Sequence, residues 1–167
     1  TPGDDSYGVY AVNLAPSDSL SLERNRIVGM TDTGIVLGDV AGTVTSSNDI
    51  VAGSSDRSVY AGNAPDVTFT NDTIIAGNSA PVVLNTAHLT VDSSILDVPI
   101  TTDGGTVTCS IAYSRGPAIV EGGNGCGEFQ TTADPQFVDR FASPVPDLEL
   151  KPTSPLLDEG NPADPGA

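Results

Sequence analysis

The chain has no tryptophan, one methionine, one histidine and one lysine, and aromatic residues fill only 5% of its 167 positions. So few rings exclude a thick aromatic core and favour a thin one of β-branched and small side chains. Basic residues are scarce: 6 Lys and Arg stand against 22 Asp and Glu, a formal net charge of −16. A surface of that sign repels phosphate backbones and anionic lipid heads, which argues against nucleic acid and membrane surfaces as partners. No run of about 18 apolar residues occurs, so no helical membrane span is expected. Amphipathic 3.6-residue periodicity is missing between the strand-like pieces, which excludes helical bundles and βαβ folds. The single histidine, His88, has no Cys, His or Ser at a known catalytic spacing, and the single lysine, Lys151, lies beyond the repeats.

What the chain has is turn residues, 18 Gly and 13 Pro, and a repeated phrase. Copies read Leu20-Ser21-Leu22 followed by Asn25-Arg26-Ile27, then Val44-Thr45-Ser46-Ser47-Asn48-Asp49-Ile50 and Val67-Thr68-Phe69-Thr70-Asn71-Asp72-Thr73-Ile74, with two weaker ones from Leu89 and Val107. An Ile column at 27, 50, 74, 95 and 111 steps by 23, 24, 21 and 16 residues. Each copy pairs a short apolar run, such as Val59-Tyr60-Ala61, with a Thr-rich alternating strand. Alternation puts Val67, Phe69, Leu89 and Val91 inward and Thr68, Thr70, Thr90 and Asp92 outward. One strand-bearing unit per period predicts a solenoid. In a parallel β-helix equivalent residues stack about 4.8 Å apart. Ile then stacks on Ile, and Asn25, Asn48, Asn71 or Asp72, and Ser93 are expected to form an inward polar ladder, with Asp49 facing solvent.

The phrase resembles the repeat of right-handed parallel β-helix proteins of the pectate-lyase-like superfamily. The C-terminal third is similar to the closing segment of secreted bacterial members: Asp134-Pro135-Gln136-Phe137, then Leu150-Lys151-Pro152-Thr153-Ser154-Pro155-Leu156-Leu157-Asp158-Glu159-Gly160. The resemblance implies an all-β right-handed parallel β-helix, read here as about five coils over residues 1–130 with a C-terminal capping segment over 131–167. It also implies a secreted or cell-surface, bacterial setting. The group shares a fold, not one activity. A solenoid end must be covered, and Phe137, Leu148, Leu150, Leu156 and Leu157 offer apolar cover. Ser154-Pro155, with Gly160 as stop, reads as a short helical turn. The first coil has no such cover, which leads to the expectation of upstream coils or docking onto another chain.

Superfamily lyases pair a basic residue with calcium-holding acids, and hydrolases pair two carboxylates. The candidate ligand-binding residues are Arg26, Asp49, Asp72, Asp92, Thr68 and Thr70. Arg26 and Asp49 fall in one column and read as a surface ion pair. Asp49, Asp72 and Asp92 could share a proton or bind calcium, although 22 acids make chance neighbours common. The Thr-x-Thr pairs are the pattern of ice-binding solenoids, and also simply good β-formers. Cys109 and Cys126 fit a small-loop disulfide, the alternative being two buried thiols. No cofactor beyond possible calcium is implied. The functional expectation is a non-enzymatic, extracellular module contacting polysaccharide or a cell-surface partner. The alternatives are a lyase or glycoside hydrolase acting on acidic glycans, and ice binding.

Overall fold

The computed structural model describes residues 6–75, 82–97, 99–102, 107–116, 120–121, 131–142 and 145–163. It is an all-β parallel solenoid of about four turns. The first turn holds β1 (Val9–Val12), β2 (Ser19–Glu23) and β3 (Arg26–Val28), and the second β4 (Ile35–Gly38), β5 (Thr43–Ser47) and β6 (Ile50–Ala52). In the third, β7 (Val59–Thr70) runs through two strand positions before β8 (Thr73–Ile75). The fourth repeats this with β9 (Val82–Asp92) and β10 (Ile95–Asp97). Then come β11 (Ile100–Thr102), β12 (Thr108–Ala112), β13 (Val120–Glu121), and an antiparallel pair, β14 (Phe137–Asp139) with β15 (Asp147–Leu150).

One large parallel sheet carries β1-β4-β7-β9-β11-β13 along one wing and β2-β5-β7-β9-β12 along the other. A smaller parallel sheet, β3-β6-β8-β10, closes the cross-section. Its four strands, one per turn, are why the count falls short of the five coils expected. The next rung of that sheet is a single bridge from Ile95 to Arg115.

Alternation fills the core. Val59, Ala61, Ala64, Val67 and Phe69 of β7 are all buried, and Val44, Val67 and Leu89 stack in register on consecutive turns. Each such buried side chain contributes about 1.5–3 kcal/mol of transfer free energy. Beneath them Ile27, Val51, Ile74 and Leu96 stack from the smaller sheet.

The corners explain the polar part of the repeat. At one, Arg24, Asn48, Asn71, Ser93 and Tyr113 all adopt left-handed φ between 48° and 58°. Asn tolerates this region best among side-chain-bearing residues, which is why it recurs there. At another, Gly29 and Gly53 take φ of 72° and 73°, where a Cβ would be strained. The chain therefore bends outward at Asn48, and the following residue points in.

This moves two of the expected ladder positions by one residue, Asn48 to Asp49 and Ser93 to Ser94, while Asn25 and Asp72 stand where expected. Asn48 is exposed; the inward ladder is Asn25, Asp49, Asp72, Ser94 and Ser114. The inward apolar column is Ile27–Val51–Ile74–Leu96, while Ile50 and Ile95 share the outward column with Arg26 and Thr73. Ile111 lies in β12, opposite Val91 in the other sheet.

The C-terminal segment lies along the flank of the solenoid. Phe137 packs on Ala52 and Ile75, with Ile95, Leu148 and Leu150 around it, covering the outer side of the smaller sheet. Arg26 in the first turn donates to the Pro146 carbonyl at 2.5 Å, and Arg115 Nε donates to the Ala133 carbonyl at 2.8 Å. Asp97 receives both Arg115 and Arg140, tying solenoid to tail. The expected helical turn is instead a non-helical turn over residues 155–158: Ser154 Oγ accepts from the Leu156 amide at 3.1 Å and donates to the Pro135 carbonyl at 2.7 Å.

Candidate functional site

The outer face of the large sheet gathers the groups suited to contact a ligand. On the wing of β1, β4 and β7 the outward column is Tyr10, Val36 and Tyr60. Tyr10 is 60% exposed, the most open of the four tyrosines, none of which is buried. Tyr7 stands beside it with ring centroids 5.2 Å apart, and Arg57 lies 5.4 Å from the Tyr60 ring centre. The corner beyond carries Asp39 and Asn63, joined by a 2.6 Å bond from Asn63 Nδ2 to Asp39 Oδ1.

Past that corner the second wing is a grid of hydroxyls. Ser21, Thr45, Thr68, Thr90 and Ser110 form one column, a hydroxyl on every rung. The column to one side reads Ser19, Thr43, Asp66, His88 and Thr108, and to the other Glu23, Ser47, Thr70, Asp92 and Ala112. Asp92 therefore stands beside the central column and does not interrupt it. Rungs are about 4.8 Å apart and outward neighbours along a strand about 6.7 Å. Thr108 Oγ1 and His88 Nδ1 are 3.0 Å apart, a contact that no sequence spacing signalled.

The predicted residues divide accordingly. Thr68, Thr70 and Asp92 lie on this face. Asp92 also accepts from Ser93 Oγ at 3.2 Å and from Asn161 Nδ2 at 3.4 Å. Arg26 faces the tail. The Arg26–Asp49 surface pair does not form, because Asp49 is buried in the ladder at 1% exposure. Its carboxylate accepts from the Asn25 amide at 2.6 Å, from Asn25 Nδ2 at 2.9 Å and from Ser46 Oγ at 2.8 Å. Asp72, also 1% exposed, accepts the Asp49 amide at 2.8 Å, and its own amide donates to Ser94 Oγ at 3.1 Å. The ladder thus satisfies corner amides that no strand partner reaches. Ser46 stands next to Asp72 but gives its hydroxyl to Asp49, and Asp72 Oδ2 has no partner. Burial, with the Asp49 carboxylate beside it, pushes the Asp72 carboxyl up to about 7.

A buried carboxylate pair inside a corner cannot reach a polysaccharide, so Asp49 and Asp72 serve the fold. Among the described residues no three His, Cys, Asp or Glu converge on a metal position, and no helix is long and apolar enough to cross a membrane. Cys109 is half-buried on β12, and Cys126 lies outside the described residues. The tyrosines were the residues sequence reasoning passed over. Their signal was their place in Val9-Tyr10-Ala11 and Val59-Tyr60-Ala61, at the outward slot of an alternating run.

No family model, no curated protein and no solved structure matches the chain.

Proposed function

We propose that the protein is a secreted or cell-surface β-solenoid module, of the kind the pectate-lyase-like resemblance implies, which contacts polysaccharide without cleaving it. The outer face carries this reading. Sugars present apolar ring faces bordered by hydroxyls, and a surface that recognises them needs aromatic platforms beside hydrogen-bonding groups. Tyr10 and Tyr60 stand two rungs apart, about 9.6 Å, on one wing. The other wing offers a hydroxyl on each of five rungs. Single contacts of this kind are weak, and an extended glycan lying across several rungs multiplies them. The acidic surface favours neutral glycans over polyuronates.

Affinity electrophoresis through gels containing neutral glucan, pectate or alginate, with calcium and with chelator, tests this. Retardation by a neutral glucan that is lost in Tyr10→Ala/Tyr60→Ala supports the reading. Chain cleavage, seen as new reducing ends or unsaturated product, would replace it with the enzyme alternative. The Cys109–Cys126 disulfide belongs to the same proposal, since a secreted module meets an oxidising setting.

A second reading rests on the unbroken Ser21–Thr45–Thr68–Thr90–Ser110 column. A two-dimensional hydroxyl lattice fits a periodic solid such as ice. Thermal hysteresis abolished by Thr68→Tyr, with glycan retardation absent in wild type, would favour it.

A further inference from the structure

We infer a second, separate binding site in the cleft between the solenoid corner and the returning tail, fitted to a primary ammonium on a small ring, with an amino sugar as the ligand class. The cleft has a volume of about 460 Å³, within the roughly 300–1,000 Å³ of small-molecule sites. One wall is the left-handed corner column, Asn71, Ser93 and Tyr113; the other is the tail, from Leu150 and Leu156 to Asp158 and Glu159. Asn161 bridges the two walls, its amide donating to Ser93 Oγ at 2.9 Å, which fixes the width of the cleft there.

Tyr113 is the residue that stands out. It occupies the corner slot that Asn fills at 48 and 71, with φ of 48°, and the residue is 42% exposed. A bulky side chain pays for this backbone where Asn would not. The ring lines the cleft and offers an aromatic face there. The charges decide the class. Asp158 and Glu159 are among the lining residues. Arg115, the one cation among the described residues lining the cleft, is committed to Asp97 through NH1 and to the Ala133 carbonyl through Nε. Arg140 shares Asp97. An anionic ligand would meet two carboxylates on a chain of net charge −16. An ammonium beside an aromatic face and carboxylates is favoured. The ring hydroxyls of an amino sugar have Asn71 and Thr131 within the same lining.

The test is an NMR titration of the whole chain with glucosamine, N-acetylglucosamine, cyclohexylamine and glucuronic acid. Glucosamine should shift the amides around Ser93 and Tyr113 and bind at least tenfold more tightly than N-acetylglucosamine, with glucuronic acid inert. Cyclohexylamine, an ammonium without hydroxyls, should be the weaker amine. Its equal binding would overturn the assignment to a sugar. Tyr113→Asn keeps the corner conformation, so it should fold with unchanged or higher melting temperature and lose about tenfold in affinity. Glu159→Gln should weaken glucosamine binding and reduce its salt dependence. Unchanged binding in Tyr113→Asn, or no amide shift with any probe, would refute the site. Tyr10→Ala/Tyr60→Ala should leave glucosamine binding intact, which separates this site from the outer face.

Discussion

The buried Asp72 carboxyl should make the solenoid less stable as pH rises through neutrality. In the native chain its ionised form sits in a low-dielectric corner, beside Asp49 and with one oxygen unpartnered, so the proton is held up to about 7. In the unfolded chain the same group releases its proton near 3.8. Between those values the native state binds one proton more than the unfolded state, and stability falls with rising pH. The slope is about 1.4 kcal/mol per pH unit. The interval from 3.8 to about 7 gives an upper bound of roughly 4 kcal/mol, of which roughly 2 kcal/mol falls between pH 5 and pH 7. Asp72→Asn keeps an oxygen to accept the Asp49 amide and brings no charge. Urea melts of wild type and Asp72→Asn from pH 5 to pH 8.5 isolate the effect, because the other carboxylates cancel in the difference. The variant should be less stable than wild type, or equal to it, at pH 5 and more stable at pH 8. A difference that stays flat across this range, or one that grows in favour of wild type with pH, would refute the reasoning.

Asp49→Ala leaves two donors of Asn25 and the Ser46 hydroxyl without their acceptor, and should cost roughly 3 kcal/mol in chemical denaturation. Asn48→Leu, one residue earlier and exposed, should cost only about 1 kcal/mol, through the left-handed backbone; equal costs for the two variants would contradict the corner geometry. Phe137→Ala removes the anchor of the tail hairpin on the smaller sheet, at roughly 3–5 kcal/mol. Limited proteolysis should then cut first near residues 139–147. Mass spectrometry of non-reduced protein from an oxidising compartment should show a two-hydrogen deficit for Cys109–Cys126; two alkylatable thiols would remove that bond from the account.

The solenoid was legible because stacking forces the same residue type into the same slot on successive turns, as Val44, Val67 and Leu89 do. The register at the corner was not. Two adjacent positions both favour short polar side chains there, for different reasons. Asn48 and Asn71 are selected by a left-handed backbone, whereas Asp49 and Asp72 are selected as acceptors for corner amides. A sequence shows the Asx pair without saying which member turns in. The tail posed a different difficulty. Its apolar residues announced that something had to be covered, but only contacts as distant in sequence as Arg26 with Pro146 place it on the flank. Within the site, Thr68, Thr70 and Asp92 followed from alternation alone. The tyrosines follow from the same rule and were hidden by their apolar neighbours.

The most direct measurement of the central claim is an amide-resolved NMR titration of the intact chain with a neutral glucan oligosaccharide. Contact through the outer face predicts shifts confined to the columns of Tyr10, Val36 and Tyr60 and of Thr45, Thr68 and Thr90, with no product formed over days. Shifts centred elsewhere on the solenoid, or steady cleavage of the oligosaccharide, would contradict it.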